Sequence, residues 1–171
     1  MVLADGAMFP TSATCATTGT PESPDLEWTG VPSGTMSFAL VFVDTTITEG
    51  DAGIPLAEGY HYVLWDIPGG VTSLPMALPS GDPPMGVSDL AGAMQKGLST
   101  NAQWLGPCPN GTSGTTRTDS YELQLYAFST ATQSTIQSSQ STEQIIQAIQ
   151  ALPNNGKAVL HGKSNAAGTL R

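Results

Sequence analysis

The segment MSFALVFVD, residues 36–44, is apolar on both faces when drawn as a strand. Ser37, Ala39, Val41 and Val43 fall on one side, and Phe38, Leu40 and Phe42 on the other. A strand that faces water alternates apolar with polar side chains, so this one has to be covered on both sides. YHYVLWDI, residues 60–67, reads the same way, with Tyr62 and Leu64 on one face and Val63, Trp65 and Ile67 on the other. Both segments stop at turn chemistry, Asp44-Thr45-Thr46 and Pro68-Gly69-Gly70. Two interior strands of this kind demand a layered β structure.

The rest of the chain supplies the layers. YELQLYAF (121–128) sets Leu123, Leu125 and Ala127 against Glu122, Gln124 and Tyr126, the pattern of a half-exposed strand. From Ser141 the period changes. Ser141 and Gln144 fit a capping box, and Ile145, Ile146, Ile149 and Leu152 form an apolar stripe at helical spacing. Pro153 and Asn154-Asn155-Gly156 end that helix. KAVLHG (157–162) reads as a last strand, and SDLAGAMQKGL (88–98) as a short helix with Leu90, Met94 and Leu98 in line. Residues 1–25 read as irregular with at most one short edge strand. The connections 45–60 and 68–120 are long enough to be functional loops. The expectation is a mostly-β single domain over residues 1–171, with residues 1–20 an irregular N-terminal segment.

Charge narrows the function classes. Five Lys and Arg against fourteen Asp and Glu give a net charge of −9, and Lys96, Arg117, Lys157, Lys163 and Arg171 are scattered. Nucleic acid needs clustered cations, so it is not the expected partner, and an anionic membrane surface is disfavoured for the same reason. No run of 18 apolar residues predicts a transmembrane segment. MVLADGAM lacks the basic start and apolar core of a secretory signal. Charged residues make up only 11 % of the chain, and Ser, Thr, Asn and Gln supply the polarity, so a secreted or periplasmic location is the expectation. Cys15 and Cys108 are too few for a disulfide framework or a zinc site, leaving one bridge or two separate buried thiols open. Neither a metal nor a cofactor is expected.

Four motifs stand in order: PDLEWTGVPSGTMSFALVFVD, HYVLWDIP, NAQWLGPCPNG and YELQLYAF. In that order and spacing the chain resembles the phosphatidylethanolamine-binding protein (PEBP) family, also known as Raf-kinase-inhibitor-like proteins, and particularly its bacterial branch. The resemblance implies a β-sandwich on a large antiparallel sheet, with one or two helices, the clearest near the C-terminus. It also implies a small anion-accepting pocket at one end of the strands. Carried over, Asp44, His61, Gly106, Pro107, Pro109 and Tyr121 would form that pocket, and Asp119 is a further candidate. The family's second acidic residue is Thr46 here, and its His-Arg pair before the tyrosine is Asp119-Ser120, after a lengthened loop TSGTTRT (112–118).

A phosphate site needs donors and positive charge, and this one is less basic than its relatives. The implied function is binding of a small polar or anionic molecule rather than a phospholipid headgroup. His61, with an ordinary pKa of about 6.5, would serve as donor, acceptor or proton shuttle. Asp44 would orient its imidazole while capping the turn. A Cys15–Cys108 bridge would pin the N-terminal loop to the pocket rim. Trp65 and Trp104 are core or cavity wall, and Asn110-Gly111-Thr112 fits a glycosylation acceptor. Two alternatives stand beside binding. One is an enzyme using Asp44 and His61 as acid/base groups on a small natural-product-like substrate. The other is a surface β-sandwich without a pocket. A G-x-S-x-G elbow is absent, which leaves nucleophilic hydrolysis unsupported.

Overall fold

Strand β3 (Ser37–Asp44) is buried at every position, as its two apolar faces require. In the computed structural model, which describes residues 3–50, 53–98, 102–110 and 116–168, it lies inside a six-stranded sheet. The other members are β1 (Ala7–Met8), β4 (Tyr60–Pro68), β6 (Met94–Gly97), β7 (Asp119–Phe128) and β8 (Gly156–Ser164). Their order across the sheet is β1-β8-β7-β3-β4-β6. All pairs are antiparallel except β1 with β8, so the large antiparallel sheet expected is mixed at one edge. Among the described residues no helix is long and apolar enough to cross a membrane.

Each face of β3 has its own cover. Helix α2 (Thr142–Ala151) lays Ile145, Ile146 and Ile149 against Ala39, Val41, Val43, Val63 and Trp65. Its start is fixed by the capping box that the sequence indicates: the Ser141 hydroxyl accepts from Gln144 N, and the Gln144 side chain accepts from Ser141 N. The opposite face packs Phe38, Leu40, Phe42 and Tyr62 under Phe9, Leu74, Leu78 and Trp104. A separate two-stranded sheet, β2 (Leu26–Glu27) with β5 (Ser73–Leu74), closes part of that side.

Three local expectations change. Residues 88–98 are not a helix: a single turn at Ser88–Leu90 gives way to β6. Gly92 at φ 90° takes a backbone conformation that ends helical winding at little cost to glycine. Gln95 then spends its side chain on the Tyr62 hydroxyl and the carbonyls of Pro79 and Gly81, contacts that no periodicity announces. Strand β7 is not half-exposed. Gln124 and Tyr126 are buried beneath α2, and the Gln124 Oε1 accepts from both Tyr126 Oη and Gln150 Nε2. Ile67 joins Phe38 and Leu64 rather than Val63 and Trp65. The β3–β4 register slips between Phe38 and Leu40, and Asp66 at φ 55° marks the extra residue. One inserted residue exchanges the two faces of a strand.

Candidate functional site

A second slip in the same register places His61. Phe42 pairs with Tyr62 and Val43 with Tyr60, so His61 has no partner across on β3. Strict alternation would send its ring to the α2 side with Val63 and Trp65. The bulge turns it to the other face, where it lies 5.3 Å from the Phe42 ring and 5.6 Å, edge-on, from Tyr121. Re-aiming a side chain is what bulges do beside functional sites.

Asp44 ends β3 directly opposite Tyr121 of β7, and Asp119 opens β7 two residues before that tyrosine. Thus the three adjacent strands β7, β3 and β4 deliver Asp119, Tyr121, Asp44 and His61 to one end of the sheet, and all four are at least 96 % buried. The loop carrying the other candidates runs alongside. Gly106, Pro107 and Pro109 are buried in it. A Cβ on Gly106 would collide with the Ala13 carbonyl, so only glycine allows the loop this close to the N-terminal segment. Cys15 N donates to Pro107 O at 3.2 Å, Trp104 Nε1 donates to Ala13 O at 3.2 Å, and a disulfide joins Cys15 to Cys108.

The electrostatics depart from expectation. Burial pushes the Asp44 carboxyl up to about 7, against hydrogen bonding from Tyr121 and with a contribution from the neighbouring Asp119. Burial pushes His61 down to about 4, partly offset by the Leu105 backbone. Asp44 is not among the groups that perturb His61. Its Oδ1 accepts from Ile47 N at 3.1 Å, capping the short helix α1 (Thr45–Thr48), while its other side faces Tyr121 and Asp119. So the carboxyl caps a helical turn rather than orienting the imidazole, and the titration near neutrality belongs to Asp44, not to the histidine. Tyr121 is held protonated by burial and by Asp44.

Several buried atoms here lack a well-formed hydrogen bond: Asp44 Oδ2, His61 Nδ1 and the Tyr121 hydroxyl. Tyr121 and Asp44 feel each other, but their contact falls short of good hydrogen-bond geometry.

Four contributors escaped the sequence reading. Arg117 Nη2 pairs with Asp119 Oδ2 at 2.7 Å, with the carboxylate fully buried and the arginine 24 % exposed. Arg117, Asp119 and Tyr121 are spaced by two, which is a same-face signal available in the sequence. Asn110 holds the base of that loop: its Nδ2 donates to Arg117 O and its Oδ1 accepts from Arg117 N, both at 2.8 Å. Its side chain is therefore buried and bonded rather than presented for glycosylation, and Gly111 and Thr112 of the acceptor pattern lie outside the described residues. Phe9, from the segment expected to be irregular, sits edge-on to Tyr121 at 5.9 Å. Its ring needs Gly162, where a Cβ would collide with it. Leu105 contributes its backbone to His61.

The departures at positions 46 and 120 serve each other. Thr46 Oγ1 accepts from Ser120 N at 2.9 Å, and Thr45 Oγ1 donates to Ser120 O at 3.0 Å, so α1 is bolted to β7. Most of the lengthened loop, residues 111–115, lies outside the described residues. Cavities lined by described residues occur elsewhere. One of about 360 Å³ lies between Thr20–Glu22 and Ala77–Ser80, and an apolar groove of about 240 Å³ runs over Trp28, Leu123, Leu125 and Leu160. Among the described residues, no three His, Cys, Asp or Glu side chains form a metal-holding group.

The molecule is thus a mostly-β domain, a six-stranded sheet with one face under a late helix and a polar cluster at its strand ends. The family model for phosphatidylethanolamine-binding protein matches residues 1–163, and the chain belongs to that family. Among solved structures, the chain is similar to Escherichia coli YbcL, described as a new member of the mammalian PEBP family. The TM-score is 0.71 at 25 % identity, over 95 % of this chain and 93 % of that one. A PEBP homologue from Chlamydia trachomatis, CT736, shares the fold with a TM-score of 0.64 at 17 % identity, over 94 % of this chain and 91 % of that one.

Proposed function

We propose that this protein holds a small polar molecule at the strand-end cluster of Asp44, His61, Asp119 and Tyr121, beside the Gly106–Pro109 loop, and releases it unchanged. One observation carries the reading. In a layer otherwise filled by Phe38, Leu40, Phe42, Leu64 and Leu123, three neighbouring strands place buried polar groups together and leave Asp44 Oδ2, His61 Nδ1 and the Tyr121 hydroxyl short of partners. Folded proteins pair nearly all such groups, and each exception has a reason. Family membership supports a binding role. Burial takes the His61 imidazole down to about 4, so under the second reading, acid/base turnover, the working group would be the Asp44 carboxyl, raised to about 7. The disulfide supports a secreted or periplasmic setting.

A thermal-shift panel of inorganic phosphate, phosphoethanolamine, small carboxylates, small amines and polyols tests the reading on the wild type and on His61→Ala. At least one probe is expected to raise the wild-type Tm and to lose that effect in His61→Ala. A wild type indifferent to the whole panel would sink it.

A further inference from the structure

We propose, resting on the site reading above, that the ligand is a small organic cation with an ammonium head, and that Arg117 is its internal competitor. The charge count at the cluster leads there. Two carboxyls, Asp44 and Asp119, face the site, and the guanidinium at hand, Arg117, is already engaged with Asp119 at 2.7 Å. His61 adds no positive charge, because burial among Phe42 and Tyr121 keeps its ring neutral at ordinary pH. Tyr121 stays protonated.

An anion would therefore enter a low-dielectric site whose sum of charges is zero or negative, and would find no uncommitted cation among these groups. Buried anions need exactly that partner. An ammonium ion brings three donors and no acceptor. Asp44 Oδ2 and the Tyr121 hydroxyl offer it oxygens, and the neutral imidazole offers one nitrogen lone pair. At longer range, the whole chain carries −9, which draws cations in and repels anions.

Arg117 is placed to yield. Its backbone N–H and C=O are both held by the Asn110 side chain, independently of the guanidinium's pairing with Asp119. The side chain is the partly exposed member of its ion pair, whereas Asp119 is fully buried. An incoming ammonium displaces the guanidinium outward and takes over compensation of the carboxyl pair.

Isothermal titration at pH 8 with ethylammonium and, separately, with inorganic phosphate tests this on the wild type, Arg117→Gln, Arg117→Lys and Asp44→Asn, each first matched to the wild type by circular dichroism. The expected results are ethylammonium binding in the wild type, about tenfold tighter binding in Arg117→Gln, near wild-type affinity in Arg117→Lys, and at least tenfold weaker binding in Asp44→Asn, a tenfold change being about 1.4 kcal/mol. Phosphate is expected not to bind. Phosphate binding that disappears in both Arg117→Gln and Asp44→Asn overturns the cation proposal and leaves the site reading standing. Ethylammonium binding weakened by Arg117→Gln overturns the competitor role. No binding of ethylammonium by the wild type or Arg117→Gln overturns the cation proposal, and the thermal-shift panel then shows separately whether the site binds anything.

Discussion

Beneath α2 the sheet carries Ala39, Val41, Val43, Val63 and Trp65 against three isoleucines, and the polar residues Gln124 and Tyr126 on that side bond to each other. On the other face, at one end, the same strands carry Asp44, His61, Asp119 and Tyr121, and three of their polar atoms are short of partners. Leaving a buried polar group unsatisfied costs about 1–3 kcal/mol each. One face is arranged for stability, and the end of the other tolerates a cost that the proposed binding role would explain. The two regions should therefore respond differently to substitution.

The largest effect is expected on the site side. Replacing both cysteines, Cys15→Ser with Cys108→Ser, frees a link between residues 93 apart, worth about 4.6 kcal/mol by loop-closure entropy. Urea unfolding should show that loss. The variant should also disturb the His61 environment, because the bridge holds the N-terminal segment beside the Gly106–Pro109 loop. On the α2 side, Ile146→Ala removes a fully buried side chain and should cost about 3 kcal/mol. Ligand-induced thermal shifts should survive it. If Ile146→Ala abolishes binding while the protein stays folded, the separation of the two regions is broken.

The pH dependence sharpens the contrast within the site. His61 has its folded pKa lowered from 6.5 to about 4, so its contribution to stability is full above about 6.5 and is lost as the pH falls towards 4. Asp44 has its folded pKa raised from 3.8 to about 7, so its contribution is full below about 4 and is lost as the pH rises towards 7. Across the shared window the two slopes oppose each other. Single variants should unmask them: Asp44→Asn should gain stability as the pH rises from about 4 to 6.5, and His61→Gln should lose it from about 4 to 7. Urea midpoints measured against pH check both signs. The smallest effect is at the start of α2, on the opposite face, where Ser141→Ala should cost about 1 kcal/mol by removing the helix cap, with no change at the site.

How legible these regions were in the sequence follows from the same contrast. The α2 face could be read because its signals are local: the alternation along Ser37–Asp44, the isoleucine spacing and the Ser141–Gln144 box each lie within one element. The site residues Asp44, His61, Asp119 and Tyr121 could be nominated, but only through resemblance to a family. Their electrostatic roles could not. The bulge that aims His61 depends on the register between two strands, and the neutral state of its ring depends on what covers it. Arg117 showed a spacing signal but no sign that Asn110 would fix it over Asp119. Residues 88–98 failed for a related reason, since Leu90, Met94 and Leu98 keep helical spacing while Gly92 and the edge of β4 make the segment a strand.

The central claim is that the cluster's histidine is neutral and its carboxyl is the group that titrates near neutrality. NMR titration of the His61 imidazole and the Asp44 side-chain carboxyl in the wild-type protein addresses it directly. His61 should remain neutral until the pH approaches about 4, and Asp44 should change state near 7. A histidine that titrates near 6.5 beside an Asp44 that titrates near 4 would contradict the claim.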